Sequence, residues 1–156
     1  MSRRLASAGL TAAALILGAC SPGAPKGVEK AALDAAVTDA VGDPNTCVLI
    51  GQAGSGRLVY RYGTYGVCDR DLPSCAGVAT RKTGDLLKAT AASKRPLNAS
   101  CPSTADGSRG VAWAAAPVAS GDLVYAASME GEHTPPGLVI AEKLSAAFAK
   151  AGLQPR

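Results

Sequence analysis

Val111-Ala112-Trp113-Ala114-Ala115-Ala116-Pro117-Val118-Ala119-Ser120-Gly121-Asp122-Leu123-Val124-Tyr125-Ala126-Ala127-Ser128-Met129 is the stretch whose reading decides the fold. Its alanines read as helix. Its Val, Trp and Tyr residues, placed on either side of Ser120-Gly121-Asp122, read as two strands and a turn. The turn residues tip the balance, so this segment is taken as a hairpin of strands at 111–116 and 123–129. A second hairpin lies upstream. Cys47-Val48-Leu49-Ile50 is a short apolar run, and Arg57-Leu58-Val59-Tyr60-Arg61-Tyr62 is rich in β-formers. The glycines of Gln52-Ala53-Gly54-Ser55-Gly56 between them accept the positive φ of a tight turn. Alternation puts Leu58, Tyr60 and Tyr62 on one face of that strand, with Val59 and Arg61 on the other.

Three helices complete the pattern. Leu33, Val37 and Val41 recur at helical spacing over 28–41, and Gly42 followed by Asp43-Pro44 ends that run. A second helix is expected over 84–93, with Thr83 as its cap and Leu86, Leu87 and Ala91 as its apolar stripe. The last carries Ile140, Leu144, Ala147, Phe148 and Ala151 on one side, with Thr134 as N-cap, Pro135 or Pro136 in the first turn, and Gly152 as the stop. Residues 63–80 and 94–109 read as loops. The expected class is α+β in the order α-β-β-α-β-β-α, with both hairpins in one small antiparallel sheet and helices packed on it. This order resembles the profilin or roadblock type of α+β sandwich. It resembles more distantly the terminal-helix-on-sheet part of penicilloyl serine transferases. No sequence motif carries either likeness, so neither implies an activity.

The N-terminus sets the compartment. Arg3 and Arg4 precede an apolar stretch from Leu5 to Leu17, which leads through Leu17-Gly18-Ala19 to Cys20. A basic start, a short apolar core and a small-residue cleavage site make a signal peptide. The run falls short of the roughly 20 residues a spanning helix needs. Leu17-Gly18-Ala19-Cys20 resembles the lipobox of bacterial lipoproteins at every position. The resemblance implies cleavage before Cys20, a diacylglyceryl thioether on Cys20, and acylation of the new N-terminus with palmitate-type chains. More than one acyl chain gives stable anchoring. The expected organisation is a signal at 1–19, a lipidated Pro/Gly-rich tether at 20–27, and a single domain at 28–156. Ser21 follows the lipidated cysteine, where Asp in Gram-negative lipoproteins of this kind favours the inner membrane. A Gram-negative chain would therefore sit on the outer membrane, facing the periplasm.

Composition narrows the function classes. Loss of Arg3 and Arg4 lowers the formal charge from +4 to +2, with no clustered basic face to call for nucleic acid. Five cysteines are present. With Cys20 lipidated, Cys47, Cys68, Cys75 and Cys101 form an even set, which reads as two disulfides in an oxidising compartment. Three connectivities are open to four cysteines; the reading leans to Cys68–Cys75 with Cys47–Cys101. The spacing lacks the Cys-x-x-Cys pairs of a zinc site.

No catalytic set emerges. Lys82-Thr83-Gly84 resembles the signature of β-lactamases and penicillin-binding proteins, but the chain holds no Ser-x-x-Lys to accompany it. His133 is the single histidine and lacks a Gly-x-Ser-x-Gly elbow. Glu130, Glu132 and His133 lack the spacing and further ligand of a metal centre. Gly51-x-x-Gly54-x-Gly56 lacks the Lys-Ser/Thr of a phosphate loop. The sequence therefore calls for no cofactor and no metal. It points to a non-enzymatic module bound to the membrane through its lipid, with an envelope protein or cell-wall component as partner. A small or degenerate envelope serine hydrolase is the alternative. Tyr60, Tyr62, Tyr65, Arg70 and Arg81 are the candidate binding surface, because aromatic and arginine side chains anchor interfaces and loops on a rigid scaffold carry binding.

Overall fold

A computed structural model describes residues 22–118 and 121–153. The lipobox, Cys20 and Ser21 lie outside the described residues. The elements in chain order are α1 (Lys30–Val41), β1 (Thr46–Gln52), β2 (Leu58–Tyr62), α2 (Tyr65–Cys68), β3 (Leu72–Pro73), β4 (Thr80–Arg81), α3 (Thr83–Ser93), β5 (Leu97–Pro102), β6 (Gly110–Pro117), β7 (Leu123–Gly131) and α4 (Gly137–Lys150). The fold is α+β. Five antiparallel strands form one sheet in the order β2-β1-β7-β6-β5, and β3 and β4 pair separately. The two expected hairpins are β1–β2 and β6–β7, and they join through β1 against β7.

Helices cover both faces of the sheet. One face packs against α1 and α4 around Leu33, Val37, Ile50, Tyr60, Ala114, Ile140 and Leu144. The other packs against α3 and the segment 63–82 around Cys47, Leu49, Leu72, Leu86, Trp113 and Ala126. This layering explains the alanine-rich run. β6 and β7 are buried on both sides for most of their length, and strands covered on both faces read as continuous apolar runs, without alternation. Ala112 and Ala114 sit under the α1/α4 layer while Trp113 faces the other way. The small side chains let α4 approach closely: a Cβ on Gly137 would overlap the Trp113 carbonyl oxygen and stand 2.7 Å from that of Ala99.

Several expectations are corrected. The segment read as loop 94–109 contains β5, which pairs with β6 from Leu97↔Ala115 to Pro102↔Gly110. Residues 63–80 contain α2, β3 and the first residue of β4. Thr134 does not cap the last helix; its hydroxyl donates to the Gly110 and Gly131 carbonyls. The free N–H of Gly137 is instead met by the Ser100 hydroxyl of β5 at 2.8 Å. Thr83 does not cap α3 either, since its hydroxyl lies 2.7 Å from that of Ser128 inside the core. Leu58 does not share a face with Tyr60 and Tyr62. The register shifts between Ile50↔Tyr60 and Gly51↔Leu58, so Leu58 turns to the α3 face and Val59 packs with Tyr60 on the other. That extra residue is a β-bulge. Within the segment 22–28, Pro25 is buried, its carbonyl accepts from the Val28 N–H, and Val28 packs on the α1/α4 core.

Candidate binding groove

The segment 63–82 leaves β2, crosses one face of the sheet and returns to α3. Its departure is tight. Gly63 adopts φ +95°, and a Cβ there would overlap the Thr46 carbonyl oxygen, so only glycine fits. Two disulfides then pin it to strands far apart in the sheet. Cys68 at the end of α2 bonds Cys47 of β1, and Cys75 beyond β3 bonds Cys101 of β5. The expected pairing of Cys68 with Cys75 and Cys47 with Cys101 is therefore wrong. Sequence proximity favoured a short local loop, whereas the sheet carries each cysteine of the segment over a different strand. Further contacts hold the segment down. The Trp113 indole N–H donates to the Pro73 carbonyl at 2.7 Å, and the Arg81 guanidinium lies over the Trp113 ring. Arg70 donates to Glu130 at 3.2 Å.

Glu130 is the buried hub of that last contact, its side chain 4% exposed. Arg109 grips it bidentately at 2.7 and 2.8 Å, and the Ser103 hydroxyl donates at 2.9 Å. These donors hold its carboxyl down at about 2, the Arg109 hydrogen bonds contributing most, against the opposing effect of burial. Glu130 thus binds the fold together, and with Arg109 it forms part of the lining of a shallow notch shared with Asp43, Asn45, Glu132 and His133.

Between α2, α3 and the outer strands lies a groove of about 260 Å³. Leu49, Leu58 and Leu87 form its apolar part, Arg61 and Tyr65 one wall, and Asp69, Lys82, Asp85 and Lys88 the rest of its rim. Tyr65 is 68% exposed, and the Arg61 guanidinium stacks over its ring at 5.0 Å. Thr64 fixes this tyrosine by capping α2 through a hydrogen bond from the Val67 N–H.

The five residues of the expected surface separate. Tyr65 reaches the groove. Tyr60 is in the core, donating to Asp34 at 3.0 Å; burial, followed by the Asp34 hydrogen bond, raises its pKa. Tyr62 is half-buried beside Thr38 on the α1 side. Arg70 and Arg81 serve the contacts with Glu130 and Trp113. Sequence reasoning passed over Arg61, Leu58 and Leu87 as site residues. The signal for Arg61 was present, the one cation within the β-forming stretch Leu58–Tyr62 and on the face opposite Tyr60.

The Lys82 amine is outside, held by Asp69 at 3.2 Å, while Thr83 points inward to Ser128. Among the described residues no serine hydroxyl hydrogen-bonds a lysine amine or His133, and no three His, Cys, Asp or Glu side chains group as metal ligands. Gly51 is a paired residue of β1, and Gly54 and Gly56 lie in the turn between β1 and β2. No helix among the described residues is long and apolar enough to cross a membrane. Comparison with protein-family models, with curated proteins and with solved structures finds no match.

Proposed function

We propose that the chain is a lipid-anchored protein of the bacterial envelope whose domain binds a partner protein through the groove beside Tyr65. The observation that carries this reading is the double pinning of segment 63–82. A loop excursion fixed by two disulfides to separate strands of a sheet presents a preorganised surface, and preorganisation reduces the ordering cost of binding. On that surface an exposed tyrosine and a stacked arginine stand beside an apolar recess, the residue types that dominate binding hot spots. The anchor reading rests on Leu17-Gly18-Ala19-Cys20. It is compatible with the geometry, since α1, the helix nearest Cys20 in sequence, packs on the face of the sheet opposite the groove.

The test is site-specific photocrosslinking of the full-length protein in its native envelope. A benzophenone side chain at position 65 is compared with one at position 146, on the outer surface of α4. One discrete adduct from position 65, absent from position 146, is expected. Equal adducts from both positions, or none from position 65, would overturn the proposal.

A further inference from the structure

We infer that the groove takes an acidic, apolar segment of a partner polypeptide, with Arg61 reading the carboxylate. This rests on the binding function proposed above and names the chemistry of its ligand. Arg61 stands on β2 with Leu49 as its cross-strand neighbour, and most of its side chain is covered. Its Nε is buried without a hydrogen-bond partner. Among the described residues no carboxylate lies within ion-pair distance of its guanidinium, and its ring contact with Tyr65 leaves the N–H groups unpaired. Three other cations of this face do have acids: Arg70 and Arg109 share Glu130, and Lys82 is held by Asp69 with Asp71 nearby. A buried N–H left without an acceptor favours a partner that supplies one. The planar fork of a guanidinium matches a carboxylate through two parallel hydrogen bonds.

The rest of the rim agrees with that charge. Of the two rim acids, Asp69 is neutralised by Lys82, and Asp85 occupies the first turn of α3, where the positive end of the helix favours it. Lys88, one turn further along α3, adds a second cation without an acidic partner among the described residues. Leu49, Leu58 and Leu87 offer an apolar seat beside these cations. A segment bearing Asp, Glu or a terminal carboxylate next to a Leu-, Ile- or Phe-sized side chain therefore satisfies both parts of the groove.

The experiment selects a displayed library of random heptapeptides on the oxidised full-length protein, on its R61E variant and on its R61K variant, with circular dichroism showing that each is folded. Wild type is expected to enrich an acidic residue adjacent to a large apolar one. R61E is expected to bind the winning peptide at least about tenfold more weakly, the loss of one charge-assisted pair, and to enrich Lys or Arg in place of the acid. R61K, which keeps the charge without the fork, is expected to fall between. Enrichment without an acidic residue, no enrichment, or equal binding by R61E would overturn the inference. A crosslink from position 65 combined with acid-free peptides would sink only the assignment to Arg61; absence of both would remove the binding function as well.

Discussion

Glu130 shows how much one side chain does here. Four donor groups from Arg70, Ser103 and Arg109 converge on a carboxylate that is almost fully buried. Its folded pKa, about 2, lies below the ordinary 4.5. A depressed carboxyl contributes stability that is fully present above the unfolded value and is lost as pH falls through the folded one. The window is therefore pH 4.5 down to about 2, and the contribution is of order 3 kcal/mol. Glu130→Gln is expected to lower stability by about 2–3 kcal/mol at pH 7, with a flatter loss on acidification than wild type. Urea unfolding at pH 7 and pH 3 checks both parts; parallel pH profiles would refute the hub. Gly137 is the second such position. Gly137→Ala has to move α4 off the backbone of β5 and β6, at a cost of about 2 kcal/mol. A thermal midpoint within a degree of wild type would contradict that close approach. Neither residue announces its role in sequence, because Glu130 looks like any turn-flanking acid and Gly137 like a helix-start glycine.

At the scale of elements, legibility followed apolar pattern. The stripe of α4 was readable, and Ile140, Leu144, Ala147 and Phe148 are buried as their spacing implies. β6 and β7 were readable from β-forming residues around a turn. β5 was not, because Leu97-Asn98-Ala99-Ser100-Cys101-Pro102 is an edge strand of small and polar side chains with only alternate partial burial. Its strand character comes from pairing with β6, a long-range fact. The β3–β4 pair was hidden for a similar reason, being two residues a side and held by disulfides and Trp113. Peptide mapping of the oxidised protein is expected to return Cys47–Cys68 and Cys75–Cys101; recovery of Cys68–Cys75 would overturn the pinning of segment 63–82. Cys75→Ser with Cys101→Ser is expected to cost about 3 kcal/mol, as for loops of this length. It should also free Pro73 from the Trp113 indole, giving a red-shifted tryptophan emission while far-ultraviolet dichroism stays close to wild type.

For the whole molecule, the sheet separates two sides. The chain enters through Pro25 and Val28 on the α1/α4 side, and the groove opens on the other. With Cys20 lipidated, only residues 21–24 separate the lipid from buried Pro25. At no more than about 3.6 Å per residue, the domain would be held close to the bilayer. Cys20→Ala is expected to abolish incorporation of radiolabelled palmitate and leave the full-length precursor uncleaved. Label retained in that variant would exclude the lipobox assignment.

By itself the sequence determined the α+β class, both central hairpins, the helical stripes and the engagement of four cysteines in two disulfides. These follow from local periodicity, turn chemistry and parity, each visible within a few residues or in a count. It also carries the lipobox reading, which stands on Leu17-Gly18-Ala19-Cys20 alone. The tertiary structure decided which cysteines pair, where Leu58 faces, that 94–109 contains an edge strand, and that Tyr65 and Arg61 share a groove while Tyr60 and Tyr62 do not. Those outcomes depend on strand order, a bulge and contacts between residues far apart in the chain. A period of two or 3.6 residues fixes a face only until a bulge shifts it, and says nothing about which distant segment will cover that face.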